Sequence, residues 1–274
     1  MIAAGIAHPL VGGASRLAVA ALLTGILGLA CLLPGCGASG GTGSGATTGT
    51  SPAARDAPII EVGSEQYQPR LDPADFVDGV DNPYFPLVPG TRWVYAGVVD
   101  GVSERIELEV TDERKTILGI SAVGVRDVNY HDGELAARTM DYYAQDGVGN
   151  VWYLGEVTQN YENGMPTDLE GWESGVGGAL PGIFMLAEPA VGYAYRQVHH
   201  AGQAEDLAEV IGMGAARSIA LGDYRDVLVI LGWSPLEPDI IEEKYYAPGV
   251  GKVYEVLTAG GEGGTELVEH SAPG

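Results

Sequence analysis

The chain has 274 residues, 14 Lys+Arg against 37 Asp+Glu, a formal charge of −23, 46% hydrophobic residues and two cysteines. So acidic a polypeptide is ill suited to phosphate backbones or anionic lipid surfaces, which are held mainly through Lys and Arg. With 14 Tyr, 4 Trp and 3 Phe it is not a wholly disordered polymer, and it is long enough to bury a core.

Residues 1–35 hold one Arg, Arg16, no Lys and no acid. Residues 17–33, LAVAALLTGILGLACLL, form an apolar run of the length of a signal-peptide core, short for a membrane span. At its end Leu33-Pro34-Gly35-Cys36 places Leu at −3, Gly at −1 and Cys at +1, similar to a bacterial lipobox; Cys31 fits that pattern less well. The reading is a signal peptide over 1–35 and lipidation at Cys36, with an uncleaved anchor helix as the alternative. Residues 36–58, rich in Gly, Ser and Thr, cannot bury apolar area and read as a disordered tether. Cleavage would leave Cys36 as the one cysteine, so a domain over 59–274 has no disulfide, cysteine nucleophile, Cys-ligated zinc or iron–sulfur cluster.

Along that domain, Asp72-Pro73 suits the start of one short helix, Asp72 capping and Pro73 in its first turn. Beyond it, short runs rich in Val, Ile, Tyr and Trp alternate with Gly, Asp, Asn and Pro turns, the pattern of antiparallel strands. Residues 92–98 and 104–110 flank Asp100-Gly101, a hairpin signal. The second run puts Ile106, Leu108 and Val110 on one face and Glu107 and Glu109 on the other. Further hairpin tips are expected at Asp132-Gly133 and Asn163-Gly164, and residues 204–210 read as a strand. Residues 163–189 read as a connection that packs onto the body.

An internal repeat runs through these elements. Tyr142-Tyr143-Ala144 returns as Tyr245-Tyr246-Ala247, Gly147-Val148-Gly149 as Gly249-Val250-Gly251, and Gly90 with Trp93 as Gly192 with Tyr195. Nearly constant displacement points to two similar β units, about 85–157 and 188–257, in one all-β body of antiparallel sheets.

The motif NPYFPLVPGTRWVY at residues 82–95, YAQD and GNVWY around 143–153, and KYYAPGVGKV at 244–253 together resemble a group of bacterial exported proteins, many of them lipoproteins. That resemblance implies a β-rich domain outside the cytoplasm and supplies no catalytic residues; the lipid anchor expected at Cys36 would hold it at the cell membrane or outer membrane.

The chemistry-bearing residues are sparse. His199 and His200 are strand neighbours pointing to opposite faces, and His131 and His270 belong to no metal-binding spacing, so neither a metal nor a cofactor is assigned. The oxygen-rich segments 78–82 and 146–150 lack the spacing of a calcium loop. Neither G-x-S-x-G nor S-x-x-K occurs, and no catalytic residue is assigned. Carboxylate pairs such as Glu205-Asp206 and Glu242-Glu243, and Asp141 beside Tyr142, are expected to face solvent. The aromatics Trp93, Tyr95, Tyr143, Trp152, Tyr195 and Tyr246 fall in strands, where they either fill a core or line a ligand groove. The leading reading is therefore a membrane-tethered extracytoplasmic β domain, non-catalytic, binding a ligand or an envelope protein and no nucleic acid. A carboxylate-dependent hydrolase of envelope or environmental polymers and a purely structural envelope lipoprotein are the alternatives.

Overall fold

The computed structural model describes residues 67–273. The expected signal peptide, Cys36 and the expected tether lie outside the described residues. Asp72 caps a single 3-10 turn, Pro73–Asp75, its side chain accepting from the Ala74 amide at 2.9 Å.

The remaining elements are strands: β1 (Arg92–Val99), β2 (Val102–Ile117), β3 (Ile120–His131), β4 (Glu134–Gln145), β5 (Val151–Glu162), β6 (Met165–Glu173), β7 (Gly182–Met185), β8 (Ala194–His200), β9 (Ala204–Ile219), β10 (Gly222–Ser234), β11 (Glu237–Ala247), β12 (Gly251–Ala259) and β13 (Gly263–Ser271). All pair antiparallel, in the order β6-β5-β4-β3-β2-β1-β13-β12-β11-β10-β9-β8, with β7 also on β5. The connections are short because successive strands are hairpins. At Asp100-Gly101, Asp132-Gly133 and Asn163-Gly164 both residues take positive φ, the two-residue turn whose twist suits a hairpin.

Two six-stranded meanders thus share one sheet, joined where β1 pairs with β13. Strand starts in the second follow those in the first by 102, 102, 102, 103, 100 and 98 residues. The entry to each meander is built alike. The amides of Gly90 and Gly192 donate to Val110 and Val210, while those of Thr91 and Tyr193 donate back to Val88 and Ala190. Gly90 and Gly192 have φ of 89° and 90°, a conformation that disfavours any side chain.

The expected connection over 163–189 is corrected by the structure: it contains β6 and β7. β7 does the closing. It pairs with β5 on one side, and on the other the Leu180 amide donates to His199 of β8 and the Gln197 side chain donates to the Phe184 carbonyl at 2.9 Å. The sheet is thereby curled into a nearly closed barrel. Closure is favourable because an open sheet leaves its edge groups without partners.

Inward residues form one continuous core, with Trp93, Tyr95, Ile106, Val125, Tyr143, Tyr153, Met185, Tyr195, Leu228, Ile230 and Tyr246 among its members. A smaller cluster, Ile117, Ile120, Ala122, Tyr142, Ala144 and Leu154, lies beneath Leu71 and Phe76 of the entering segment. Strand alternation divides Tyr142 from Tyr143 between the two clusters.

Candidate functional site

The barrel interior contains a cavity of about 60 Å³ that opens to solvent. That volume suits a few waters or a slim ligand group. Alternation positions its walls: Trp93 and Tyr95 on β1, Ile106 and Leu108 on β2, Val125 and Asp127 on β3, Asp141 and Tyr143 on β4, and Lys244 and Tyr246 on β11. Phe85, Pro86 and Leu87 enter from the segment before β1, Phe184 from β7, and Gly251 with Lys252 from the start of β12.

Polar contacts hold the rim in place. The Asn82 side chain donates to the carbonyls of Gly149 and Leu186, both at 3.0 Å, and accepts from the Tyr84 amide. Gln145 accepts from the amides of Asp81 and Asn82 and donates to the Asp81 carboxylate at 2.6 Å. Asp146 accepts from three successive amides, Val148 to Asn150, and from the Trp152 indole, fixing the adjoining turn. The hairpin after β11 meets the same rim. The Gly249 amide donates to the Pro83 carbonyl, the Trp93 indole to Val250 at 2.7 Å, and the Tyr95 hydroxyl to Lys252 at 2.9 Å. Three sequence motifs distant along the chain therefore converge around one opening. Behind it Phe85, Phe184 and Tyr143 pack with ring centroids 4.5–5.2 Å apart.

Four of the six aromatics singled out in the sequence, Trp93, Tyr95, Tyr143 and Tyr246, line this cavity. Two do not. Trp152 packs between the two clusters with its indole committed to Asp146. Tyr195 is buried in the core away from the lining, its hydroxyl without a partner among the described residues. The aromatics form both core and cavity wall, and four of the six share the cavity lining.

The larger correction concerns the carboxylates. Asp141 and Glu242, expected at the surface, are buried, as are Glu104, Asp127, Glu156 and Glu255. Two local bulges contribute. Between β4 and β5 the register skips Leu154, and between β11 and β12 it skips Val253. One extra residue changes the parity of the strand, so Tyr153 and Glu156, like Lys252 and Glu255, come onto the same side three positions apart. Tyr153 then touches both Glu156 and Asp141, and Lys252 pairs with Glu255. Lys244 pairs with Glu242 at 2.5 Å.

These ionisable groups differ in compensation. Burial raises Asp141 to about 7, with the Tyr153 hydrogen bond opposing the shift. Burial, reinforced by Asp141, pushes Asp127 well up. Burial raises Glu242 to about 8 despite Lys244, helped by neighbouring Glu255. Burial alone would also raise Glu255, but Lys252 and Lys244 bring it below its ordinary value. Among the described residues no three His, Cys, Asp or Glu side chains are grouped to hold a metal ion. Of the histidines, His270 stacks on Trp93, His131 lies 3.9 Å from Glu104, and His199 lies 3.8 Å from Glu205.

No family model matches the chain, and no curated protein does. Two crystal structures are similar in fold. One, from Bacteroides fragilis, is described as an exported protein with a YmcC-like fold; identity is 12%, with 69% of this chain and 99% of that chain covered and a TM-score of 0.42. The other, from Parabacteroides distasonis, is described as a lipoprotein; identity is 15%, with 71% of this chain and 100% of that chain covered and a TM-score of 0.38.

Proposed function

We propose that this protein is an extracytoplasmic lipoprotein, acylated at Cys36, whose barrel holds a small amphipathic molecule in its interior cavity. One observation carries the binding reading: three motif segments converge to pin a rim at a cavity lined by aromatic and ionisable side chains. A cavity built only by imperfect packing would not be expected to gather two aspartates and two lysines among aromatic side chains. The anchoring reading rests on the apolar run 17–33 and the lipobox-like context of Cys36. The acyl chains would supply a membrane affinity that this acidic domain cannot obtain from anionic headgroups. The matching order of strands in the two meanders, with their matching entry turns, we read as a duplicated β unit. In that reading the first copy supplies most of the cavity wall and the second contributes Lys244, Tyr246, Gly251 and Lys252.

Native mass spectrometry of the chain purified from its own membranes tests the proposal. A small molecule retained at one per chain and lost on unfolding is the expected result. Chain that carries no adduct, and whose Trp93 emission no amphipathic additive perturbs, would instead favour a purely structural role. Membrane fractionation of Cys36→Ser tests the anchor: the variant should move to the soluble exported fraction, and unchanged membrane retention would refute acylation there.

A further inference from the structure

Resting on the binding reading above, the chemistry of the cavity wall narrows the ligand class. Four ionisable side chains line the cavity: Asp127, Asp141, Lys244 and Lys252. The two lysines are already matched, Lys244 by Glu242 and Lys252 by Glu255. The two aspartates are not. Asp127 accepts one hydrogen bond, from Asn129 at 3.1 Å, through Oδ1; its Oδ2 meets no donor among the described residues. Asp141 is held through Oδ1 by Tyr153, and its Oδ2 likewise has no donor there. No described Lys, Arg or His forms an ion pair with either one, although Asp127 is only 3% exposed and Asp141 4%. Counting each lysine with its glutamate, the cavity wall carries a surplus of two acids and no surplus base.

Burying a carboxyl without a counter-charge is costly, and the cost is relieved by a cation or by a proton. The surrounding rings favour the cation. Trp93, Tyr143, Phe85 and Phe184 line the same space, and aromatic faces attract ammonium groups more strongly once water is removed. The wall already accommodates one: Lys252 Nζ stands 4.9 Å from the Tyr95 ring centroid. We infer that the cavity is selective for an organic cation, a slim aliphatic ammonium whose head sits between Asp127 and Asp141 and whose chain lies along the Phe85, Trp93 and Phe184 side of the opening.

Three probes of equal length separate charge from apolar fit: n-hexylammonium, 1-hexanol and hexanoate. They are titrated calorimetrically into the exported full chain carrying Cys36→Ser, which avoids detergent, at 150 mM salt, where attraction to the acidic exterior is screened. The expected order is hexylammonium at least tenfold tighter than 1-hexanol, with hexanoate weakest. Asp127→Asn should erase the ammonium preference, bringing hexylammonium down to the affinity of 1-hexanol. Should Asp127→Asn not fold, Asp141→Asn and the wild-type series still decide the matter. Equal binding of hexylammonium and 1-hexanol, or tighter binding of hexanoate, overturns the cation assignment and leaves the binding cavity standing. Failure of all three probes overturns both.

Discussion

The hydroxyl of Tyr153 lies 2.5 Å from Oδ1 of Asp141 and also touches the carboxyl of Glu156. A phenol has one proton to give. Two such contacts therefore require that one of the acids keep its own proton and donate it to the phenol oxygen. Burial favours that arrangement by raising both acids. Tyr153→Phe removes the shared oxygen and leaves two buried carboxyls facing an apolar ring. The expected loss is about 1–3 kcal/mol, read as a lower urea midpoint, together with a higher Asp141 pKa by carboxyl NMR. An unchanged midpoint would show that the contact contributes nothing.

Stability should fall as pH rises from about 5 to about 8. Asp141 at about 7 and Glu104 at about 8 hold their protons in the folded chain far above the ordinary 3.8 and 4.5. Below the ordinary values both states are protonated and this stabilisation is fully present. Through the window up to the folded values the unfolded chain binds fewer protons, so each pH unit favours unfolding. Glu255, held low after burial is outweighed by Lys252 and Lys244, acts the other way, stabilising above 4.5. Among the described residues eight acids are raised (Glu104, Asp127, Asp141, Glu156, Glu170, Asp206, Glu237 and Glu242), against the lowered Glu255 and the lowered His131, His199 and His270, which predicts a higher melting temperature at pH 5.5 than at pH 8.5. The reverse order in a thermal scan would contradict the buried acid network.

Lys244→Met should be among the most damaging substitutions in the chain. Burial alone would lower Lys244, yet Glu242 and Glu255 hold it above its usual range, so it stays charged. Its loss strands those two acids in the interior, at about 3–5 kcal/mol. Adding Glu242→Leu should recover part of the loss, because both ends of the 2.5 Å pair are then apolar. Chemical unfolding of the single and double variants measures the recovery; no recovery would mean that Lys244 acts through Glu255 alone.

Glycines separate two kinds of constraint. At Gly90 and Gly192 an added Cβ meets nothing closer than 3.9 Å, so alanine is opposed only by φ near +90°. Each substitution should cost about 1–3 kcal/mol, and equally, since the two turns share one hydrogen-bond pattern. At Gly97 a Cβ would lie 1.9 Å from the Gly264 carbonyl oxygen, backbone against backbone at the β1–β13 seam. Gly97→Ala should therefore destabilise beyond either turn variant in the same unfolding series. If Gly97→Ala were the mildest of the three, the close approach of these strands would be wrong.

Much of the architecture follows from local chemistry. Asp100-Gly101, Asp132-Gly133 and Asn163-Gly164 turn the chain because those pairs accept two successive positive φ values. Strict alternation puts Trp93 with Tyr95, and Ile106 with Leu108, on common faces. Period-two patterning thus specifies antiparallel strands and which residues share a side. It does not specify which face closes inward, nor that β1 finds its partner in β13 at the far end of the chain.

The acids show where local reading ends. Glu107 and Glu109 lie on the outer face as their alternation with apolar residues implies, whereas Asp141, Glu156, Glu242 and Glu255 face the interior. For Asp141, Glu156 and Glu255 the partners Tyr153 and Lys252 arrive through register and through bulges at Leu154 and Val253, whereas Lys244 stands two positions from Glu242 on one strand. A bulge shifts every later side chain by one position, and barrel closure then decides whether that side meets water or the rings of the core. Composition and spacing determined a β protein rich in aromatics. Only the closed sheet decided that a charged network would stand inside it.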